Sequence, residues 1–303
     1  MTHPVLAELR RRSNGARVAL VVEGGGMRGA VSGGMALALH ELGLAGAFDA
    51  AYGSSAGALN AMWLVSGRLP QGIPTWVDPR LVHALIQPRR ALRGGPVVDV
   101  TTLVERRYEQ LSPGLFAAVL ASATELHPVA TDVRSGAAVD LHGEIADAPS
   151  LRLALRASAA LPLLAGPPVE LGGRRLLDAG LSAAIPFRAA LAGGATHVLV
   201  LRSRRAGETA QPPGRIAGGL TARLLRRLDP AVAQAFRTRA VREAEDEAVL
   251  ARHDAEPDRR PHVLSVRPAP GSPVPGRLER DVALIAAGLE AGRAAMHAAS
   301  DGL

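Results

Sequence analysis

The chain reads as an α/β protein, a layered sandwich around a largely parallel sheet. Two observations predict this. Short, β-branched apolar runs recur at Val18–Val22, 196–201 and 263–266, and long helix-forming stretches rather than tight turns separate them. The chain is also 303 residues long and 48% hydrophobic, enough apolar side chain for a large core.

Taken in order, Val18–Val22 is bounded by Gly24, Gly25 and Gly26, which predicts a buried strand ending in a tight turn. Residues 33–42 carry Met35, Ala36, Leu37 and Leu39 and stop near Gly43, the pattern of a helix. Ala50–Ser54 predicts a short strand and Ala56–Val65 a helix, so Ser55 falls where a strand turns into a helix. Prolines 70, 74, 79 and 88 then predict a loop-rich excursion around one short helix, 80–86. Residues 101–111 predict a helix, and 128–133 and 137–141 two strands around Arg134-Ser135-Gly136. A helix follows at 150–157 with Ser150 as its N-cap. Val169–Leu171 and 174–177 predict a hairpin through Gly172-Gly173. A short helix (187–191), a buried strand (196–201) and a polar stretch (203–214) come next. An arginine-rich helical region, 220–253, is expected to break at Pro230, before a strand at 263–266 and a terminal helix at 278–299. Neither an internal repeat nor a domain boundary stands out, so residues 1–303 are read as one domain.

Composition excludes several functions. Cysteine is absent, which removes disulfides, a thiolate nucleophile and zinc-thiolate sites. Charged residues make up 21%, too few beside this hydrophobicity for wholesale disorder. The net charge is +7 and every one of the 35 Lys/Arg positions is arginine. Such a balance attracts anionic lipid or nucleic acid, but with 3% aromatic residues there is little base-stacking surface, and no nucleic-acid partner is expected. Arg10, Arg11 and Arg12 precede an apolar run too short for a secretory signal, and no uninterrupted apolar stretch reaches membrane-spanning length. A cytoplasmic protein is expected, with peripheral contact to an anionic membrane.

Three motifs carry chemistry. Gly53-Ser54-Ser55-Ala56-Gly57 is a G-x-S-x-G pentapeptide on the predicted strand–helix turn. There a serine hydroxyl is held exposed, while Gly53 and Gly57 permit close packing. Gly24-Gly25-Gly26-Met27-Arg28-Gly29 can turn backbone N–H groups toward an oxyanion, with Arg28 steadying the loop. The same segment matches G-x-G-x-x-G, with Asp49 twenty residues beyond Gly29, the outline of a dinucleotide site. That reading needs the acid at the end of the second strand, and Asp49 precedes the strand instead. The third element is Asp178 in Leu177-Asp178-Ala179-Gly180. Histidines 197, 253, 262 and 297 follow it, but none sits in a recognisable motif; histidines 3, 40, 83, 127 and 142 read as surface or helix residues. No cluster has metal-ligand spacing, and no metal or cofactor is expected.

Together these motifs resemble the patatin-like phospholipases. That family has a G-G-G-x-[RK]-G loop after the first strand, G-x-S-x-G about thirty residues later, and a D-G-[GA] motif. Gly24 to Gly29 and Gly53 to Gly57 fit in full; Asp178-Ala179-Gly180 fits with alanine for the first glycine. Arg156-Ala157-Ser158-Ala159-Ala160-Leu161-Pro162 looks like the family's A-S-x-A-x-P segment. The resemblance covers about 18–201 and is loose over 202–303. It implies a three-layer α/β/α sandwich and a Ser55–Asp178 dyad that cleaves lipid acyl esters, of phospholipase or lysophospholipase type, with an oxyanion hole built from Gly24, Gly25, Gly26, Met27, Arg28 and Gly29. A non-catalytic lipid- or nucleotide-binding module on the same fold is the alternative. Arginines 223, 226, 227, 237, 239 and 242 read either as a solvated face paired with Glu243, Glu245 and Asp246 or as a lipid contact, with Leu220, Leu224 and Leu225 meeting acyl chains.

Overall fold

The computed structural model describes residues 3–208 and 215–301. Eight strands make one sheet: β1 (Val18–Val22), β2 (Ala50–Ser54), β3 (Glu125–Asp132), β4 (Ala138–Asp140), β5 (Val169–Leu171), β6 (Arg174–Asp178), β7 (His197–Leu201) and β8 (His262–Val266). Their lateral order is β5-β6-β3-β2-β1-β7-β8, with β4 paired to β3 off that path. The run β3-β2-β1-β7-β8 is parallel throughout. Strands β4 and β6 run antiparallel to β3, and β5 antiparallel to β6.

The principal helices are α1 (Pro4–Arg11), α2 (Gly29–Glu41), α3 (Ala56–Val65), α4 (Ala148–Ser158), α5 (Phe187–Ala192), α6 (Arg215–Leu228), α7 (Pro230–Ala255) and α8 (Val282–Ser300). Alternation along β1 shows how they are layered. Val18, Leu20 and Val22 share a core with Met35 of α2, Leu59 of α3 and Ile285 of α8. Ala19 and Val21 face the other way, into a core with Phe187 of α5 and Leu250 of α7. A strand covered on both faces has no polar side to show, which is why β1 is apolar at every position. The result is the expected α/β/α sandwich. Helices α2 and α8 meet backbone to backbone through glycine: a Cβ on Gly34 would stand 1.9 Å from Leu289 O, and one on Gly292 1.9 Å from Val31 O.

Several local readings are corrected. Asp147, not Ser150, caps α4; Ser150 is the N3 partner of a capping box, its N–H donating to Asp147 Oδ1 at 2.8 Å. The helix expected at 101–111 contains a π-type turn over Leu103–Arg107. Helices at Pro4–Arg11 and Leu115–Leu120 were not expected. His127 is no surface residue: it lies buried in β3, stacked between Tyr52 and His142, with Nδ1 2.7 Å from Asp140 Oδ2. Part of the polar stretch expected at 203–214, residues 209–214, lies outside the described residues.

Candidate active site

Strand β2 ends at Ser54 and α3 starts at Ala56, so Ser55 alone makes the turn. Its backbone pays with φ 54° and ψ −123°, a left-handed conformation rare for a residue with a side chain. The flanking glycines make the turn possible. A Cβ on Gly53 would come within 2.4 Å of Ala58 Cα, and one on Gly57 within 2.2 Å of Val22 O, so only glycine lets α3 lie directly against β1 and β2. The Ser55 N–H donates to Ser158 Oγ at 2.9 Å. Ser158, fully buried at the end of α4, therefore fixes the elbow from behind. Ser54 points into the interior, its hydroxyl buried and without a partner among the described residues.

Asp178 arrives from the antiparallel side of the sheet. It pairs with Ala130 of β3, and the adjoining Val129 pairs with Ser54. Two interstrand spacings of about 4.8 Å thus separate the Asp178 and Ser54 backbones, a gap side chains can close. The Asp178 N–H donates to Ala160 O (3.0 Å), and its carbonyl accepts from Thr131 Oγ1 (2.8 Å). Oδ1 accepts from the Gly180 N–H at 2.7 Å. Burial pushes the Asp178 carboxyl above the usual carboxylate range. The Ser55 hydroxyl, the Gly180 N–H, Arg277 and Arg239 pull it back only in part. The alanine in Asp178-Ala179-Gly180 is tolerated because Ala179 does not take a positive φ. Gly180 is the more restricted position, since a Cβ there would stand 2.8 Å from Asp178 Oδ1.

The glycine loop follows β1 beside this pair. Its N–H groups are not equivalent. Gly24 donates to Ala184 O, Met27 to Arg277 O, Arg28 to Gly25 O, and Gly29 to Gly26 O and Met27 O. The N–H groups of Gly25, Gly26 and Ala56 have no partner among the described residues, and all three residues line one cleft with Ser55 and Asp178. Gly26 has φ +59°, and a Cβ on it would meet Arg277 O at 2.4 Å.

Beneath the loop lies a charge network that no motif announced. Glu23, fully buried just after β1, accepts from Arg202 Nε (2.9 Å) and from the Ser203 N–H (2.8 Å). Burial alone would raise its carboxyl, but Arg202, Arg204 and Arg28 outweigh that and hold it at about 2. Ser203 Oγ donates to Gly24 O at 3.1 Å, tying the loop to the end of β7. Arg28 is buried against Gly25, and desolvation pushes its guanidinium down to about 10. A glutamate directly after an apolar strand, opposite the later Arg202-Ser203-Arg204, was the available signal.

Ser55 and Asp178 lie in a cleft that opens to solvent. Its lining is mostly apolar, with Leu59, Trp76, Leu85, Ile86, Val98 and Leu103 among it; Asp178, Arg239 and Arg277 supply the charged groups. Among the described residues no histidine lines it. His197 and His262 stack on each other at the opposite, amino ends of β7 and β8, and His297 pairs with Glu41 at 2.8 Å. Asp49 also belongs to that far end, where it accepts from the Val18 N–H at 2.7 Å. It cannot reach a ligand on Gly24–Gly29, which removes the acid a dinucleotide site requires. Among the described residues no group of three or more His, Asp or Glu side chains is arranged to hold a metal ion.

The chain is 30% identical over 199 residues to the uncharacterized protein YjjU of Escherichia coli (strain K12), a match covering 62% of this chain and 52% of that protein. It thus spans about half the length of that relative. Among solved structures, VipD from Legionella pneumophila aligns with a TM-score of 0.48 and 12% identity, over 95% of this chain and 67% of VipD. A family model described as patatin-like phospholipase matches residues 20–191. That match begins inside β1 and ends inside α5, spanning all three motifs read from the sequence, and on this ground the chain belongs to the patatin-like phospholipase family.

Proposed function

We propose that the protein is a serine acyl hydrolase cleaving lipid acyl esters, of phospholipase or lysophospholipase type, with Ser55 as nucleophile and Asp178 as base. The observation that carries this reading is the convergence of a strained, accessible serine, a buried carboxyl and three unpaired N–H groups on one apolar cleft. Asp178 takes the proton from Ser55 Oγ as the oxygen attacks the ester carbonyl. Negative charge then develops on the carbonyl oxygen, facing the N–H groups of Gly25, Gly26 and Ala56 and the amino end of α3. Collapse of the intermediate breaks the ester C–O bond, and the leaving alcohol recovers the proton from Asp178. Water, deprotonated in turn by Asp178, then hydrolyses the acyl-Ser55 ester. A carboxyl raised by burial is a better base near neutral pH than an ordinary aspartate. Two measurements test the reading: a hydrolysis panel across lipid classes, and labelling with a fluorophosphonate probe mapped by mass spectrometry. Ester turnover with the probe on Ser55 is expected; a chain that binds lipid yet neither turns it over nor takes the label is a binding module.

A membrane surface is proposed separately. Arg223, Arg226 and Arg227 are exposed on α6 beside exposed Leu220. The wider arginine-rich face is not uniform: Leu225 is buried, Arg242 donates to Leu181 O at 2.6 Å, and Arg239 turns into the cleft. Sedimentation with anionic vesicles should weaken with salt, because exposed charges are screened. Equal binding to neutral vesicles leaves these arginines as a solvated face. No helix among the described residues is long and apolar enough to cross a membrane.

A further inference from the structure

Six guanidiniums gather in and around the cleft: Arg28, Arg202, Arg204, Arg239, Arg267 and Arg277. Among the described residues three carboxylates pair with them, and Glu208 acts on Arg28 from further off. Glu23 and Glu247 hold Arg202, Glu247 also holds Arg267, and Glu243 holds Arg204 at 2.8 Å. What remains is poorly matched. Arg239 reaches Glu243 only at 3.7 Å, on a carboxylate already taken by Arg204. Arg277 makes no ion pair among the described residues; its carbonyl, not its guanidinium, binds the glycine loop. Arg28 is 9% exposed, and its Nε and Nη2 have no hydrogen-bond partner among the described residues. Arg277 is exposed, so its guanidinium is open to an incoming anion, and the half-buried Arg239 beside it is a partly desolvated charge that an anion would relieve.

The unmatched charge is located where it can act on a substrate. Arg239 and Arg277 both line the cleft, each close enough to act on Asp178 and on the other. Asp178, the proposed base, is the only acidic residue lining the cleft among the described residues, against two arginines. The apolar lining is the natural berth for the acyl chain, and the arginines are the groups suited to meet the alcohol half of the ester.

We infer that Arg239 and Arg277 form a phosphate-binding subsite that selects esters whose alcohol half carries a net-negative phosphate, over neutral or choline-bearing ones. The inference rests on the acyl-hydrolase reading above and adds a site outside residues 20–191, the stretch matched by the family model. Guanidinium suits this task because its planar fork engages two phosphate oxygens at once.

The test compares kcat/KM for lysophosphatidate, lysophosphatidylcholine and monoacylglycerol with one acyl chain, in wild type, Arg239→Gln and Arg277→Gln. Wild type should prefer lysophosphatidate. Each variant should lower the lysophosphatidate-to-monoacylglycerol ratio by roughly 10- to 100-fold, the scale of a lost charge-assisted hydrogen bond, mainly through KM. An unchanged ratio in both folded variants overturns the subsite. A second readout needs no turnover: calorimetry with glycerol 3-phosphate and with inorganic phosphate. Binding of glycerol 3-phosphate, lost in Arg239→Gln/Arg277→Gln, supports the subsite even if no ester is cleaved, in which case only the hydrolase reading falls. Equal affinity for inorganic phosphate points to a free-phosphate site and overturns the substrate assignment.

Discussion

Ser55→Ala is expected to fold normally and to lose ester turnover by on the order of 10⁴-fold or more, the scale seen when a catalytic nucleophile is removed. Ser55 bridges β2 and α3 at φ 54°, and its N–H is held by Ser158 Oγ. Alanine keeps both the N–H and the strain, so the elbow survives while the attacking oxygen disappears. Glycine tolerates this backbone more easily, and Ser55→Gly should be inactive yet more stable by about 1 kcal/mol. Ser54 is the internal control. Its hydroxyl is buried and bonds to nothing among the described residues, so Ser54→Ala should keep most activity. Ester hydrolysis rates beside thermal melts decide the matter; a dead Ser54→Ala with an active Ser55→Ala would mean the pentapeptide has been misread.

What could be read from the sequence was what is local. Val18–Val22, Ala50–Ser54 and Ala56–Val65 appear in the structure with the expected bounds, because apolar runs and the Ser55 junction are encoded within a few residues. The glycines of the pentapeptide were legible for the same reason, though their purpose, clearance from Ala58 and Val22, needs coordinates. Lateral strand order was not legible: nothing in Thr196 to Leu201 says that β7 inserts between β1 and β8. Nor was the inequality within the glycine loop, since which N–H stays free depends on Ala184 and Arg277, both more than 150 residues away. The arginines of α7 misled most. Acid and base alternate there as on a solvated face, yet Arg239 and Arg242 turn inward, because the helix packs over the Asp178 turn and presents them to the cleft and to Leu181 O. Ser150 was misassigned by three residues because Asp147 and Ser150 cap reciprocally, and either sequence position alone looks like a cap.

Asp178→Asn should cost roughly 100-fold or more in turnover, the usual contribution of a general base, without costing stability. The amide keeps an oxygen for the Gly180 N–H and leaves the backbone bonds to Ala160 O and Thr131 Oγ1 untouched. What it cannot do is accept the Ser55 proton. The stability sign follows from the direction of the shift. Burial raises the folded-state pKa of Asp178 above its ordinary value, so the fold favours the protonated form. Its contribution to stability is full below the ordinary value and is lost as pH rises through the raised one. At neutral pH the ionised carboxylate is therefore a burden on the fold, and asparagine removes it: the variant should melt at the same temperature or higher. Activity runs the opposite way. Turnover needs the ionised carboxylate, so the acid limb of the wild-type rate profile should lie above the ordinary aspartate range. Alanine at His197, His253, His262 or His297 should change turnover far less, since none lines the cleft and the first and third stack at the far end of the sheet. A folded but dead variant at one of those histidines, beside an active Asp178→Asn, would replace the dyad with a triad.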